Sequence, residues 1–301
     1  MSLRRFAWFT LGWNVFVVLW GATVRSTGSG AGCGRSWPTC QGQVLPELSG
    51  ATAIEFGHRA VSGIALILVA VLIRRAFKSF DKGHPARKGA FWSGVSIIVE
   101  SLVGAMIVFY EWVADDASVA RVISVPIHLI NTFLLLAVLT LTVYWVSGGG
   151  PFVDKRHKPA LVAFAGGMLL IAATGGVTAL ADTLFPKDGF TVAGLFSLET
   201  SEHFLTELRI IHPIVSIVLS LPAAWWVRRK TPRPHAEATG RIIVYTVAAQ
   251  LILGFANVIL ATPTWMTLIH LLAADVLWIS WVWLAAQLSQ GASRQSLVAS
   301  R

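Results

Sequence analysis

The stretch AIEFGHRAVSGIALILVAVLI (residues 53–73) joins a polar cluster to an apolar run that is long enough to cross a bilayer. The cluster contains a carboxylate, an imidazole and a guanidinium, on Glu55, His58 and Arg59. A helix needs about 20 mainly apolar residues to cross the hydrocarbon core of a membrane. The stretch therefore predicts a transmembrane helix that carries three polar side chains near one end.

Similar apolar runs recur along all 301 residues of the chain, which is 55% hydrophobic and only 13% charged. Its mean hydropathy is +0.67, and an average soluble domain has about 25% charged residues. We therefore predict an all-α integral membrane protein with eight transmembrane helices. The predicted spans are about 6–24, 55–76, 91–109, 121–146, 159–180, 206–228, 240–261 and 264–288.

The basic residues are distributed unevenly between the two sides of the predicted membrane. Of the 24 Lys and Arg residues, 18 lie at the termini or in alternate loops, so the positive-inside rule places both termini in the cytoplasm. This predicts a multi-pass protein of the plasma membrane, and it assigns the net charge of +9 to topology rather than to nucleic-acid binding. The 18 residues are Arg4, Arg5, Arg74, Arg75, Lys78, Lys82, Arg87, Lys88, Lys155, Arg156, Lys158, Arg228, Arg229, Lys230, Arg233, Arg241, Arg294 and Arg301.

Both cysteines, Cys33 and Cys40, lie in the segment 25–54, which this topology places outside the cell. Their spacing in GCGRSWPTC fits neither a zinc knuckle nor a CxxC redox motif. Two nearby cysteines on an oxidising face favour a disulfide. A structural staple for a glycine-rich loop and a redox-active pair both agree with the sequence.

An internal repeat divides the chain into two halves, residues 1–150 and 151–301. Four spans return the chain to its starting side, so the two halves have the same hand and form a parallel repeat of two four-helix bundles. The repeat aligns His58 with His212, His128 with His270 and Glu100 with Gln250. The matched segments are HRAVSGIALIL (58–68) with HPIVSIVLSLP (212–222), PIHLINTFLLL (126–136) with LIHLLAADVLW (268–278), ESLVGAMIV (100–108) with QLILGFANV (250–258), and WGATVR (20–25) with TGGVTA (174–179).

Four of the eight histidines lie at one predicted level, about three to seven residues from the outer ends of spans 2, 4, 6 and 8. They are His58, His128, His212 and His270. Polar groups inside a membrane span are costly and are functional hypotheses by default. Two histidines on facing helices of a bundle can bind a haem iron axially. Hydrogen bonds between helices are the alternative, and zinc is less suitable because neither level shows a third or fourth ligand.

The two halves differ in the polar residues near these histidines. Glu55 precedes His58 by three residues and shares its helix face, whereas Glu207 precedes His212 by five and does not. The first half also has Arg25 and the two cysteines. We therefore expect one site for chemistry and one for a retained cofactor.

Glu55 and Glu100 also have structural interpretations. The pattern TAIE (52–55) is typical of a capping box, and Glu55 and Arg59 have the spacing of an i, i+4 salt bridge. Glu100, in the middle of span 3, is expected to form a hydrogen bond between helices, with a proton relay as the alternative.

The segment GATVRSTGSGAGCGRSWPTCQG (21–42), followed by IEFGHR (54–59), resembles the haem A synthase family of membrane enzymes. The resemblance covers the whole chain and implies oxidation of the methyl group of haem O to the formyl group of haem A, by successive hydroxylations. It implies that His58 and His128 bind the substrate haem and that His212 and His270 bind a resident haem b. It also implies a catalytic role for Glu55, with Arg25 and Arg59 in support, and a disulfide between Cys33 and Cys40. The loop between spans 5 and 6 departs from some family members because it has no second cysteine pair.

The level of the four histidines predicts haem sites near the outer face, and the spans predict contact with membrane lipid. The resemblance implies a partnership with haem O synthase. It leaves the electron acceptor and the formation of a homo-oligomer open. One alternative is a bis-histidine, two-haem electron-transfer protein that works with quinol and makes no new bond. Another is a haem carrier. The electron-transfer alternative does not explain why Glu55, Arg25 and the cysteines occur in the first half.

Overall fold

The computed structural model describes residues 1–186, 203–230 and 234–290. Within these ranges, eight helices are long and apolar enough to cross a membrane, which confirms the predicted all-α membrane fold. Of the basic residues used to predict topology, Arg233, Arg294 and Arg301 lie outside the described ranges. The helices are α1 (Leu3–Ser26), α2 (Gly50–Ser79), α3 (Pro85–Phe109), α4 (Val119–Val146), α5 (Lys158–Leu184), α6 (Phe204–Lys230, with a 3-10 turn at Leu208–Ile210), α7 (Pro234–Ile259) and α8 (Thr264–Ser289).

Several helices begin where a side chain satisfies the first free backbone N–H groups. The Ser2 hydroxyl accepts from the Arg5 N–H at 3.3 Å, and the Ser118 hydroxyl accepts from the Arg121 N–H at 3.3 Å. Such caps supply hydrogen-bond acceptors to N–H groups of the first turn, which have no acceptor within the helix. Helix α3 starts at Pro85, a residue type suited to a first helical turn.

The predicted starts of three helices were wrong by five or six residues. Helix α2 starts at Gly50 instead of 55, α3 starts at Pro85 instead of 91, and α7 starts at Pro234 instead of 240. Their first turns contain polar residues such as Thr52, Arg87 and Lys88. Hydropathy detects the part of a helix that crosses the hydrocarbon core, so it misses polar turns that continue beyond the core.

The helices pack as two bundles that meet along a shared junction. In the first half, consecutive helices contact each other and α1 also contacts α4, which closes a four-helix bundle. Helices α5 to α8 pack in the same way, and α5 also contacts α8. At the junction, α1 and α4 contact α5 and α8. The Trp278 indole N–H on α8 donates to the Phe133 carbonyl on α4 at 2.6 Å, so a buried hydrogen bond joins the two bundles.

Candidate functional site

Each of the four aligned histidines lies against a glycine of the preceding helix. Because glycine has no Cβ, the imidazole ring can approach the backbone of that helix closely. The four glycine positions therefore leave room for the rings inside the bundles. A Cβ added at Gly21 would lie 3.0 Å from His58 Cε1, one at Gly104 would lie 3.6 Å from His128 Cε1, one at Gly175 would lie 2.9 Å from His212 Cε1, and one at Gly254 would lie 3.3 Å from His270 Cε1.

The glycine and histidine positions repeat together along the chain. Gly21 and Gly175 are separated by the same number of residues as His58 and His212. The repeated unit is therefore a pair of helices in which a glycine of the first helix faces a histidine of the second. The sequence alignment contained these glycines, but it did not indicate that they contact the rings.

The second-half histidines are close enough to bind one metal ion together. The ring centroids of His212 and His270 lie 6.4 Å apart, and their planes make an angle of 88°. Nitrogen–metal distances in proteins are about 2.0 Å, so two imidazoles on opposite sides of one metal have centroids roughly 6 Å apart. The pair therefore fits axial binding of one haem iron.

The hydrogen bonds around His212 orient its ring for such a role. His212 Nδ1 lies 3.2 Å from the Ile171 carbonyl oxygen and 3.3 Å from the Thr174 hydroxyl. A metal-binding histidine commonly donates its other ring N–H to a carbonyl, which fixes the tautomer. Donation from Nδ1 to Ile171 leaves Nε2 available as a ligand.

In the first half, Nδ1 of both His58 and His128 is buried and has no hydrogen-bond partner among the described residues. Glu100 Oε1 lies 3.4 Å from His128 Nδ1. The same carboxylate accepts from Asn131 Nδ2 at 2.5 Å and from the Thr132 hydroxyl. The predicted hydrogen bond between helices at Glu100 is therefore confirmed, and it joins α3 to α4 beside His128.

Three of the four histidines lie deeper in their helices than the sequence predicted. His128, for example, is nine residues from the start of α4, whereas His270 is six residues from the start of α8, as predicted. At ~1.5 Å per residue, the four rings lie ~9–14 Å from the helix starts. The difference arises because α2, α4 and α6 start earlier than predicted. Across the described ranges, no three His, Cys, Asp or Glu side chains cluster as a metal site.

Glu55 is buried, with a relative exposure of 3%, and both of its oxygens are hydrogen-bonded. Oε1 pairs with Arg59 Nη2 at 2.5 Å, and Oε2 accepts from the Cys33 backbone N–H at 2.7 Å. The salt-bridge interpretation was therefore right, and the capping-box interpretation was wrong. Helix α2 starts at Gly50, too early for Glu55 to reach its first N–H groups. The Thr52 hydroxyl donates to the Gly32 carbonyl at 2.8 Å instead.

Arg59 connects the same helix to the loop between α1 and α2. Its Nη1 donates to the carbonyls of Ser36 and Thr39, at 2.5 Å each. We call this arrangement the outer-loop clamp, after the side of the membrane predicted for the loop: Glu55 and Arg59 of α2, with the backbone groups of Cys33, Ser36 and Thr39 that they bind. Cys33 and Cys40 are buried and joined as a disulfide, with Cα atoms 4.4 Å apart, so the loop that contacts Glu55 is covalently closed.

Arg25 contacts the second half rather than the outer-loop clamp. Its Nη1 donates to the Ala179 carbonyl at 2.5 Å and to the Thr183 hydroxyl at 2.6 Å, both on α5. Nearby on the second half, Arg209 Nε lies 2.9 Å from Asp182 Oδ1. Arginine and aspartate side chains thus meet at the end of the junction where α1 and α5 end. No sequence pattern indicated these long-range contacts.

Comparisons with known proteins agree with this arrangement. A family model named COX15-CtaA, with the description cytochrome oxidase assembly protein, matches residues 4–282. A protoheme IX farnesyltransferase of Thermus thermophilus is 43% identical over 98% of this chain and 50% of its own length. A haem A synthase of Geobacillus thermodenitrificans is 36% identical over 56% of this chain and 49% of its own length. A haem A synthase of Halalkalibacterium halodurans is 26% identical over 96% of this chain and 98% of its own length. The chain thus spans about half the length of the Thermus relative.

Proposed function

The chain belongs to the COX15-CtaA family, which includes the haem A synthases, and we propose that it oxidises the methyl group of haem O to the formyl group of haem A. The outer-loop clamp is the observation that carries this proposal. It places a buried carboxylate, with a hydrogen bond to each oxygen, one helical turn before His58. The repeat aligns His58 with His212, one of the two histidines whose spacing fits a haem iron. The aligned region of the second half has no glutamate at this spacing.

Under this proposal, His58 and His128 bind haem O, and Glu55 positions or deprotonates water, or moves protons, beside its methyl group. An ionised carboxylate has about four acceptor positions, and the clamp uses one on each oxygen. The remaining positions can accept from a water molecule or take a proton. Arg59 and the Cys33 N–H hold the carboxylate in one orientation, as a general base requires. Arg25 supports the site indirectly, because it fixes α1 against the second half.

We propose that His212 and His270 hold a resident haem b. The spacing of the two rings, the carbonyl acceptor for His212 Nδ1 and the facing glycines all fit this group. Bound haem b would supply a one-electron redox centre. The protein's part is to orient the two imidazoles and to surround the site with apolar helices, which keep water away.

A bis-histidine electron-transfer protein is the second candidate function. The observation that favours it is the repeated glycine–histidine contact, which occurs in both halves and does not depend on Glu55. The clamp favours the synthase, since it fixes a possible acid–base group beside one site alone, and electron transfer between haems requires no acid–base group.

The surroundings of the protein follow from the same proposal. The chain spans the plasma membrane in contact with lipid, both termini lie in the cytoplasm, and the haem sites lie toward the outer face. Residues 1–150 form the substrate half and residues 151–301 form the half with haem b. Haem O synthase is the partner that supplies the substrate. An acceptor protein or quinone must remove the electrons.

The test is haem conversion by the purified full-length protein in detergent, with extracted porphyrins identified by mass spectrometry. We expect haem O to become haem A, and we expect Glu55→Gln to slow this conversion at least about 100-fold, the lower range for acid–base catalysis. The matched control is Glu207→Gln, which removes an exposed glutamate near His212.

Each of the other outcomes has a distinct meaning. A Glu55→Gln protein that converts haem O at the wild-type rate would contradict the role of Glu55. Extraction of haem b alone, with no conversion of added haem O, would favour electron transfer. Formation of haem O from haem b and farnesyl diphosphate would assign to this chain the activity in the name of the Thermus relative.

A further inference from the structure

The acidic residue nearest His128 has no acidic counterpart in the second half. Glu100 Oε1 lies 3.4 Å from His128 Nδ1, and the repeat aligns Glu100 with Gln250. The Gln250 side chain donates to the backbone carbonyl of His270 at 3.1 Å. At the same position of the repeat, His128 therefore has a carboxylate beside it and His270 has an amide.

The residues that hold Glu100 also differ between the halves. Asn131 and Thr132 donate to the two oxygens of this carboxylate. The alignment of His128 with His270 places Ala273 and Ala274 at their positions in the second half, and alanine has no side-chain donor. Three side chains thus form a set in the first half, and all three are changed in the second. The donors that orient the carboxylate are therefore present in the half that has it and absent from the aligned positions of the other half.

A carboxylate can act on a metal through an imidazole when it lies beside the ring nitrogen that does not bind the metal. Its negative charge, which lies 3.4 Å from Nδ1 of His128 here, increases the basicity of the ring nitrogen that binds the metal. A more basic axial ligand stabilises ferric over ferrous haem iron, and hydrogen bonds next to the ligand are one of the ways a protein sets haem potential. A neutral amide has a weaker effect because it has no net charge.

We propose that Glu100 is a positioning residue for His128 that lowers the reduction potential of the first-half haem relative to the second-half haem. This inference rests on the proposed function, because it requires a haem in each half. The consequence is directional: an electron shared between the two haems resides mainly on the one bound by His212 and His270. Glu100 is then more than a tether between α3 and α4, because a tether alone would leave the potentials of the two haems unaffected.

The experiment is a spectroelectrochemical titration of the full-length protein with both haems bound. Glu100→Gln keeps the size of the side chain and a hydrogen-bond acceptor but removes the charge. We expect it to raise the first-half potential by about 59 mV or more, which is a tenfold change in the one-electron equilibrium. The second-half potential should not change. Glu237→Gln is the control, because it removes the same charge from an exposed position on α7.

The reciprocal variant Gln250→Glu keeps the inference testable if Glu100→Gln fails to retain its haem. It should lower the reduction potential of the second-half haem. Glu100→Asp keeps the negative charge, so it should raise the first-half potential less than Glu100→Gln does. Both haems bound with potentials unchanged in Glu100→Gln and Gln250→Glu would overturn the inference. Absence of haem from the wild-type protein would instead overturn the proposed function, so the two failures are distinguishable.

Discussion

The carboxylate of Glu55 accepts a hydrogen bond from the backbone N–H of Cys33 at 2.7 Å, across 22 residues of sequence. The acidic group in α2 is therefore positioned by a loop whose shape the disulfide closes. Arg59 strengthens this connection, because it binds both Glu55 and the carbonyls of Ser36 and Thr39. The loop and the carboxylate form one unit. Substitutions in the loop should therefore change the position of the Glu55 carboxylate even though they alter no histidine.

The first prediction concerns the disulfide. Replacing Cys33 and Cys40 together by serine should lower the free energy of unfolding by about 2 kcal/mol, because the closed loop is short. Haem O conversion should fall but remain measurable, since Glu55 binds the backbone of residue 33 rather than its side chain. Thermal denaturation and the conversion assay measure the two effects.

The two interpretations of the cysteines predict different results for this variant. A structural staple leaves residual activity that does not depend on added thiol reductant. Complete loss of conversion with both haems still bound would contradict the staple and support a redox-active pair. Wild-type protein treated with reductant is the matched control.

The second prediction concerns the glycines that face the histidines. A Cβ at Gly175 would lie 2.9 Å from His212 Cε1, closer than ordinary van der Waals contact, so Gly175→Ala should displace the ring. We expect this variant to lose the second-half haem, one of two, as measured by the ratio of extracted haem to protein. Gly166→Ala is the control on the same helix, because nothing lies within 4 Å of its added Cβ. Equal haem content in both variants would show that the contact does not matter.

The third prediction concerns the junction between the halves. Arg25→Ala removes a half-buried guanidinium that donates to Ala179 and Thr183, so it should destabilise the protein by about 1–3 kcal/mol, the range for a lost hydrogen-bond partner. Arg35→Ala should change stability by less than ~0.5 kcal/mol, because its ion pair with Glu111 is exposed and 3.7 Å long. Thermal stability in detergent compares the two. Equal stability of both variants would mean that the Arg25 contact contributes nothing.

Hydropathy and the histidine pattern predicted most of the architecture. Eight apolar runs gave eight helices because membrane spans carry a length and composition signal that is local in sequence. The repeat aligned His58 with His212, and the structure puts a glycine against each ring. The i, i+4 pair of Glu55 and Arg59 was also predictable, because both residues lie on one helix.

The contacts that were not predicted connect residues far apart in sequence. Glu55 binds Cys33 and Arg25 binds Ala179, and neither partner carries a signal, since each offers only its backbone. Every residue except proline has the same donor and acceptor groups on its main chain. Sequence patterns therefore cannot distinguish the backbone group that will be used. The early starts of α2 and α3 were missed for a related reason, because their first turns are polar.

The contact between Arg25 and Ala179 joins two positions that the repeat makes equivalent. The same residue at both positions would serve this contact less well. Two alanines would leave no donor, and two arginines would bring a second cation to the end of a membrane span, where charge is costly. The bond that fastens the two halves together therefore uses a difference between them. One position of the repeat supplies a guanidinium donor, and the equivalent position supplies a backbone acceptor without adding a charge.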